Sequence, residues 1–381
     1  MKYSKQIIKV FIFFFMIIIN IYFHTKEKND LSMTIETNVT KMLGIKHPII
    51  GAPMGPFYTT ELTIAISEAG GLGVLSHTNL LSEMGKGINA IKIMKDNMLK
   101  VVEHTDKPFG FNIRTSRMEQ DATTLCKRIP KFIMENPKLK EQCVYAITSA
   151  GSSKTLKTQA WEKLVESGSQ IKHFHVAPAL WLADKCVASN VDGLVVTGGE
   201  GGGHQSYEKV ATNVLLQQVT QKYPDFPIVA CGGFATGQGV ASALAMGAGA
   251  VAMGSRFIAS EESEFSETYK NIAPTAKAQD TVLVTGALGP IRLWKNEYSL
   301  HHGLVASKEE KMAEEAGFTM EDMIETGKCY EKAYFGDIET GAVLLGQSIG
   351  IINTVKKVSD IIDNVVSDAE KRIKALSACL K

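Results

Sequence analysis

From about Ile45 to Arg256, short apolar runs alternate with longer segments in which apolar residues recur at helical spacing. Parallel strands joined by crossover helices produce this alternation, because such strands are covered on both faces. Eight runs predict strands, at residues 47–52, 73–76, 108–113, 143–147, 171–176, 193–196, 227–230 and 250–253. The intervening segments predict helices at residues 60–69, 80–101, 119–136, 155–167, 180–189, 211–221 and 237–245. The pattern therefore predicts an α/β fold, a closed (β/α)8 TIM barrel over residues 40–260.

A doubly wound open sheet is the competing architecture. It would usually show a Gly-x-Gly-x-x-Gly turn after its first strand. Here the first predicted strand ends in Ala52-Pro53-Met54-Gly55 instead. The barrel is therefore favoured.

The alternation of strand and helix patterns stops after the eighth predicted strand. Residues 261–343 mix charged helical stretches with a glycine-rich turn at 286–290, and they do not resemble another strand–helix unit. A barrel enzyme has its site at the C-terminal ends of its strands and must close that side against water. We therefore expect residues 261–343 to form a smaller lid domain, inserted after the eighth strand. Residues 344–381 predict a helix that returns to the barrel wall.

The amino terminus has the pattern of a targeting segment. Three lysines among the first nine residues introduce an apolar run, residues 7–23, which is the pattern of a signal peptide or a short membrane anchor. No small-x-small cleavage motif follows Phe23, so an uncleaved anchor within residues 1–32 is favoured over a cleaved signal peptide. The catalytic domain would then be cytoplasmic and membrane-anchored. If translation starts at Met33, the protein has no such anchor and is cytoplasmic.

Composition narrows the classes of ligand. The 381 residues include 41 basic and 40 acidic side chains in mixed order, giving a net charge of +1 at pH 7. This balance produces no field that would attract nucleic acid, so a small-molecule substrate is expected. The six cysteines lie far apart, without the Cys/His spacing of a structural zinc site. We therefore expect no metal and interpret the cysteines as buried thiols in a reducing compartment.

The strongest candidate for chemistry is His204. It follows Gly201-Gly202-Gly203, and this cluster comes directly after the sixth predicted strand. A buried strand that ends in glycines and one titratable side chain is typical of the floor of a ligand site, where backbone approaches a planar or charged group. We predict that His204 is catalytic.

Two further glycine turns follow the seventh and eighth predicted strands. They contain Gly232-Gly233 and Gly254-Ser255. Barrels most often bind phosphate on these two loops, because backbone N–H groups point at the anion there. Tight turns alone also use glycine. The presence of both pairs at the expected strands favours a phosphate cradle.

Other strands offer weaker candidates. Asn112 ends the third predicted strand, where its amide can donate to or accept from the edge of a heteroaromatic ring. Pro53 and Met54 end the first strand and can form an apolar wall. His173 and His175 lie on the fifth strand, and buried strand histidines usually find a hydrogen-bond partner. We therefore interpret both as core residues.

Four stretches together resemble the nitronate monooxygenases, formerly called 2-nitropropane dioxygenases. They are residues 48–54, the Gly-Gly-Gly-His204 loop, residues 230–250 and residues 253–258. The resemblance runs from about Thr40 to Phe257 and resumes near residues 346–348. It implies an FMN-dependent (β/α)8 barrel with a lid. The reaction it implies converts an alkyl nitronate and O2 into a carbonyl compound and nitrite.

The resemblance also implies cofactor-binding roles for a set of residues at the strand ends. Ala52, Pro53 and Met54 would line the flavin, Asn112 would contact its polar edge, Gly202 would lie against the ring, and Gly232, Gly233, Gly254 and Ser255 would hold the FMN phosphate, with Gly203 and Met253 in the same set. His204 matches the family's active-site histidine. The chain departs from the family at Val176, Thr197 and Ser206, where many members have Lys, Gln and Gly.

Three alternatives stay open from the sequence. An FMN-dependent NAD(P)H reductase resembling the enoyl-ACP or quinone reductases of the same superfamily also carries a Gly-Gly-His loop. IMP dehydrogenase shares the late phosphate loops, but its nucleophilic Cys belongs in the loop where this chain has His204. A catalytically silent flavin- or phosphate-binding module is disfavoured by the intact histidine and cradle.

Overall fold

The computed structural model of the chain describes residues 35–286, 289–304 and 307–380, and residues 36–381 form one compact unit. Eight strands form a parallel sheet: β1 (Ile49–Gly51), β2 (Gly73–Leu75), β3 (Phe109–Arg114), β4 (Cys143–Ser149), β5 (Lys172–Ala177), β6 (Gly193–Thr197), β8 (Ile228–Cys231) and β9 (Ala250–Met253). A second, antiparallel sheet contains β7 (Gly203–His204), β10 (Thr281–Gly286) and β11 (Gly289–Trp294). Each of the eight predicted strands overlaps one strand of the parallel sheet.

The parallel sheet closes into a barrel. Its strand order is β1-β9-β8-β6-β5-β4-β3-β2, and a parallel bridge between Ile50 and Leu72 joins the two ends. At this junction the Gly51 N–H donates to the Leu72 carbonyl at 2.8 Å, and the Leu72 N–H donates to the Ile49 carbonyl at 2.9 Å. Closure leaves no open sheet edge. The predicted TIM-like barrel is confirmed.

Helices follow most strands. They are α1 (Asn38–Leu43), α2 (Thr60–Glu68), α3 (Leu81–Gly85), α4 (Ala90–His104), α5 (Ala122–Glu135), α6 (Pro137–Gln142), α7 (Gln159–Glu166), α8 (Leu180–Ala188), α9 (Thr212–Lys222), α10 (Gly237–Ala245), α11 (Ser255–Ile258), α12 (Glu267–Lys270), α13 (Glu297–Leu300), α14 (Lys308–Gly317), α15 (Met320–Phe335) and α16 (Val358–Ser377). The single helix predicted at residues 80–101 is wrong, because it is interrupted between α3 and α4. Gly87 takes a φ of +77° there, and the Asn89 side chain caps α4 by accepting from the Lys92 N–H at 2.9 Å.

The barrel interior is filled by large side chains from neighbouring strands. Phe174 of β5 is fully buried, and its ring centroid lies 5.0 Å from that of Tyr145 on β4. Gly193 on β6 makes room for Phe174, because a Cβ at Gly193 would lie 2.1 Å from the Phe174 ring. A truncation of Phe174 to Ala would therefore cost roughly 3–5 kcal/mol, the usual range for a buried aromatic residue.

The two histidines of β5 are buried on the other face of that strand, beside the helix layer. His173 Nε2 lies 2.7 Å from Thr148 Oγ1, and His175 Nδ1 lies 2.6 Å from the same oxygen. The indole of Trp161 on α7 packs against the His173 ring at 5.7 Å. The prediction that both histidines are hydrogen-bonded core residues is confirmed.

The segment after the eighth barrel strand contributes two strands to the second sheet. β10 and β11 form a hairpin, and β11 pairs antiparallel with the two-residue strand β7, which carries His204. The predicted lid, residues 261–343, thus shares a sheet with the loop after the sixth barrel strand. Its role as a lid stays a prediction.

The predicted C-terminal helix is shorter than expected. A 3₁₀ turn at Gln347–Ile351 precedes α16, and α16 packs against α10 of the barrel wall. A Cβ at Gly237, the first residue of α10, would lie 2.3 Å from the Val365 carbonyl oxygen, so only glycine permits this close contact.

Two predictions about compartment can be compared with the described residues. Among them, no helix has the length and apolar content needed to cross a bilayer. The predicted anchor at residues 7–23 lies outside the described residues. All six cysteines are free, and Cys126, Cys143 and Cys186 are buried, as predicted. Cys379 is exposed and Cys231 and Cys329 are half-buried, so the interpretation of every cysteine as a buried thiol is wrong at these three positions.

Candidate active site

One cavity of about 1390 Å³ opens at the C-terminal ends of the barrel strands. Among its lining residues are Ala52, Pro53, Met54, Asn112, Gly202, Gly203, His204, Gly232, Gly233, Gly254 and Ser255, all of which the sequence analysis singled out. Met253, which it also singled out, does not line the cavity. Ala252 does, and because successive strand residues face opposite sides, the Met253 side chain points to the helix layer.

The apolar wall after β1 is held in place by polar groups behind it. The Met54 N–H donates to Ser76 Oγ at 2.8 Å. Arg114, at the end of β3, donates to the Gly55 carbonyl at 2.7 Å and to the His77 carbonyl at 2.8 Å. Its guanidinium also pairs with Glu119. Burial acts to raise the pKa of Glu119, but this ion pair outweighs burial and holds the pKa below its usual value.

Asn112 is oriented by its neighbour β4. Its Nδ2 group donates to the Ile147 carbonyl at 3.0 Å and to Ser149 Oγ at 3.2 Å. Both amide hydrogens are thereby used, and the Asn112 oxygen is the atom left to meet a ligand. The sequence left open whether this amide donates or accepts. The structure favours an acceptor for a ring N–H group.

The two late glycine turns form a polar end of the cavity. Gly232 and Gly233 take φ values of +89° and +86°, which a residue with a side chain rarely adopts. A Cβ at Gly254 would meet only the Ala52 Cβ, at 3.7 Å, so the space beside Gly254 is open. Among the described residues, the N–H groups of Gly233, Gly254 and Ser255 have no backbone acceptor. Backbone N–H groups without a partner at a turn are suited to bind an anion, and the phosphate cradle stays a prediction.

His204 reaches the cavity from the second sheet. It pairs with Ile291 of β11, and Gly203 pairs with Arg292. The Gln205 N–H extends this ladder by donating to the Pro290 carbonyl at 2.7 Å. Main-chain hydrogen bonds therefore fix the direction of the half-buried His204 side chain, which lines the cavity.

The loop before His204 touches the C-terminal segment through two glycines. A Cβ at Gly202 would lie 2.6 Å from the Gly346 nitrogen, and a Cβ at Gly346 would lie 2.7 Å from the Gly202 nitrogen. The Gly346 N–H donates to Ser255 Oγ at 3.0 Å, which links this contact to the polar end of the cavity. Gly202 also lines the cavity, and its expected contact with a ring system stays a prediction.

Side chains also anchor the same loop. The Glu200 carboxylate accepts from the Thr212 N–H at 2.7 Å and from the Thr212 hydroxyl at 2.8 Å, which caps the start of α9. Arg292 Nε donates to the Gly199 carbonyl at 2.7 Å. These contacts join the loop to α9 and to β11.

The cavity lining also includes the three residues that depart from the family pattern, which are Val176, Thr197 and Ser206. Ser206 does not take a positive φ, so its side chain imposes no strain on the loop. Cys231 lines the cavity too, but burial raises the pKa of its thiol to about 11. At neutral pH it is a thiol rather than a thiolate.

Known proteins share both this fold and these motifs. A family model described as nitronate monooxygenase matches residues 36–368. The chain belongs to the nitronate monooxygenase family. It is accordingly a flavin-dependent oxidoreductase of that family, as the sequence motifs predicted.

Relatives of this chain have names that describe different enzymes. A protein of Rhodococcus jostii named (3aS,4S,5R,7aS)-5-hydroxy-7a-methyl-1-oxo-octahydro-1H-indene-4-carboxyl-CoA dehydrogenase is 30% identical, over 91% of this chain and 99% of that relative. The nitronate monooxygenase of Pseudomonas aeruginosa is 26% identical, over 66% of this chain and 77% of its own length. Among solved structures, FabK from Thermotoga maritima matches with a TM-score of 0.73 and 29% identity, covering 91% of this chain and 100% of the FabK chain.

Sequence reasoning missed one side of the cavity in this nitronate monooxygenase family member. Arg117, Lys154, Trp181 and Lys185 line it, on the segments that follow β3, β4 and β5. The sequence gives little indication of these residues, because single exposed cations are common on any protein surface. No spacing rule groups residues from three separate segments.

Sequence spacing also failed to reveal a polar cluster behind the wall after β1. His77, Glu119 and Asp121 bring one potential metal-ligand atom each within 4.8 Å of one another. Glu119 is already used, because its two oxygens accept from Arg114 Nε at 2.5 Å and from Asn79 Nδ2 at 3.1 Å. We therefore interpret this cluster as a network that supports Arg114.

Proposed function

We propose that this chain is an FMN-dependent oxidoreductase that acts on an acyl thioester. The described residues fit FMN. Gly233, Gly254 and Ser255 offer N–H groups to its phosphate, Asn112 offers an oxygen to its ring edge, and the wall at 52–54 offers apolar contact. When bound, FMN supplies two-electron redox chemistry.

His204 moves the proton in this proposal. The carbon next to a thioester carbonyl carries an acidic hydrogen, and an imidazole with a pKa near neutrality can remove or return that hydrogen at pH 7. The ladder between β7 and β11 fixes the imidazole at the cavity wall. Fixing the base in advance removes part of the entropic barrier to proton transfer.

The extent of the cavity is the observation that carries the choice of substrate. In the proposal FMN takes part of its volume of about 1390 Å³, so the space beyond the FMN end is what is left for a substrate. The space extends over the segments after β3, β4 and β5, away from the glycine turns after β8 and β9. A thioester with a long carrier arm uses this space, and a small alkyl nitronate does not. The name of the Rhodococcus jostii relative, a carboxyl-CoA dehydrogenase, supports the same class.

Nitronate oxidation with O2, the function predicted from the sequence motifs, is the second candidate. The family match over residues 36–368 supports it. The same histidine serves both reactions, since a nitronate is an anion that an imidazolium can bind by a charge-assisted hydrogen bond. In either case we propose that residues 261–343 act as the lid, because Met312 and Ala316 of α14 line the cavity.

Anaerobic mixing of the FMN-loaded full chain tests the choice between these substrates. A saturated acyl-CoA, a 2-enoyl-CoA added after reduction with NAD(P)H, and propyl-2-nitronate are compared while the flavin absorbance is followed. We expect a thioester to change the redox state of the flavin in at least one direction, reduction or reoxidation. Flavin reduction by the nitronate, with no response to either thioester, would overturn the proposal in favour of the second candidate.

A further inference from the structure

We infer that Arg117, Lys154 and Lys185 form a second anion site, which binds the phosphate groups of a coenzyme A thioester. The inference rests on the proposed function for its choice of ligand. The site lies across the cavity from the glycine turns that we assign to the FMN phosphate.

The position of the site follows from the strand order of the barrel. The three cations stand on the segments after β3, β4 and β5, and the glycine turns follow β8 and β9. In the closed order β1-β9-β8-β6-β5-β4-β3-β2, β4 is four strands from β9, and β3 is four strands from β8. In a ring of eight strands these are opposite positions, so Arg117 and Lys154 lie across the barrel from the glycine turns. Lys185 follows β5, two strands from β8, and lies beside Lys154 on the same side of the cavity.

The charge of the lining favours an anionic ligand. Among the described residues, the lining contains Arg114, Arg117, Lys154 and Lys185 and no aspartate or glutamate. Arg114 is neutralised by Glu119 behind the wall. Arg117, Lys154 and Lys185 make no ion pair with any described residue. Three uncompensated cations at one edge of a concave cavity raise the local concentration of polyanions.

The loops that carry these cations are joined to one another. The Thr115 N–H, at the end of β3, donates to the Ser149 carbonyl of β4 at 2.8 Å. Gly151 packs so closely that a Cβ there would lie 2.0 Å from the Thr115 carbonyl oxygen. On the other side, Ser153 Oγ lies 2.6 Å from Ser189 Oγ, which follows α8. Arg117, Lys154 and Lys185 are thus presented by one connected surface.

Lys185 is further positioned by an aromatic neighbour. Its ammonium lies 4.7 Å from the centroid of the Trp181 ring, one helical turn earlier on α8. This contact holds a flexible side chain at the cavity rim, where Trp181 itself is 38% exposed. A lysine held in this way loses less side-chain entropy when it binds a phosphate.

The ligand class follows from the combination of charge and distance. A small carboxylate or a nitronate would be satisfied by His204 alone and would not reach the opposite rim. A coenzyme A thioester places its reactive carbon at one end of a long pantetheine arm and a diphosphate plus a 3′-phosphate at the other. Its phosphates match three separate cations, and Arg117 can bind a phosphate in a bidentate manner.

The test measures binding of coenzyme A, dephospho-coenzyme A and pantetheine to the FMN-loaded full chain by calorimetry, at low and moderate salt. We expect coenzyme A to bind at least 10-fold more tightly than pantetheine, with an affinity that falls as salt rises. The double variant Lys154→Glu with Lys185→Glu should weaken coenzyme A binding by at least 30-fold while its flavin content and Tm stay at the wild-type values. The matched control is Lys127→Glu, an exposed lysine on α5 outside the cavity, and it should bind coenzyme A as the wild type does.

The outcomes separate the anion site from the proposed function. Equal affinity for coenzyme A and pantetheine would overturn the site even if acyl thioesters are substrates. Binding of NADPH that depends on Lys154 and Lys185, with no such dependence for coenzyme A, would overturn the assignment of the site to coenzyme A. Binding of an acidic carrier protein alone would do the same. Tight, lysine-dependent binding of coenzyme A without any thioester turnover would support the site and remove the proposed reaction.

Discussion

Gly202 and Gly346 meet backbone to backbone, so that a Cβ on either residue would fall within 2.7 Å of the other residue's nitrogen. They join the loop that ends in His204 to the segment that precedes α16. The close approach is possible because neither residue has a side chain. The position of His204 therefore depends on a contact between parts of the chain that are far apart in sequence.

We expect Gly202→Ala to separate these two segments. The added methyl group must push the backbone of residue 346 away, which should lower stability by roughly 1–3 kcal/mol and displace His204. Urea unfolding and steady-state kinetics measure the two effects. Gly199→Ala in the same loop is the control, because its Cβ would meet the nearest atom at an ordinary 3.4 Å. If Gly202→Ala behaves like Gly199→Ala, the contact does not hold the loop.

His204→Asn should keep the fold and the flavin but lower kcat by roughly 10²–10⁴-fold, the usual contribution of a general acid or base. Asn can still form a hydrogen bond but cannot carry the proton at neutral pH. The flavin spectrum and kcat across pH are the measurements. His301→Asn, at an exposed histidine on the turn after α13, serves as the control and should retain activity. Unchanged turnover in the His204 variant would remove this residue from the mechanism.

Gly254→Val tests the phosphate end of the cavity without a folding defect. A Cβ at Gly254 meets nothing closer than the Ala52 Cβ at 3.7 Å, so the ligand-free chain should accommodate the side chain. The valine would, however, occupy the space where we expect the phosphate. Flavin per protein after gel filtration should fall steeply, while the Tm of the ligand-free chain stays unchanged. Gly254→Ala should give an intermediate loss. Stoichiometric flavin in the valine variant would refute the cradle.

The buried histidines of β5 should make the fold sensitive to acid. Burial lowers the pKa of His173 to about 3 and that of His175 to about 4, both below the ordinary value of 6.5. The unfolded chain therefore binds more protons than the folded chain as pH falls below 6.5. At pH 5 each histidine should cost roughly 2 kcal/mol of stability, and the loss should continue to about pH 4 for His175 and to about pH 3 for His173.

Urea unfolding at pH 7 and pH 5 measures this loss. His175→Gln should show a smaller difference between the two pH values than the wild type does. His104→Gln removes an exposed histidine on α4 and should leave the difference unchanged. An equal pH dependence in the wild type and in His175→Gln would contradict the linkage.

Much of the barrel could be predicted from the sequence, because buried parallel strands are continuous apolar runs bounded by turn residues. The glycine turns predicted the position of the cavity, because each turn directly follows a strand and the cavity lies at the strand ends. Met253 was misplaced, because the motif containing it does not reveal that Ala252, one residue earlier, faces the cavity. The pairing of His204 with Ile291 could not be predicted either. A strand of two residues has no periodicity, and its partner lies 87 residues later in the chain.

The three cations of the second anion site could not be predicted from the sequence, for a different reason. Arg117, Lys154 and Lys185 come from three separate segments, and each one alone is an ordinary surface residue. Only the closed barrel brings them to one edge of the cavity. Local patterns of apolar and polar residues carry no information about which distant loops become neighbours.

The ladder between β7 and β11 has a consequence for how relatives of this protein can diverge. The bonds that hold His204 in place come from main-chain atoms, which every substitution except proline preserves. The side chains of the β10–β11 hairpin can therefore change while the His204 imidazole keeps its position. Selection for a new substrate can remodel that hairpin in small steps, and none of those steps has to rebuild the loop that carries His204.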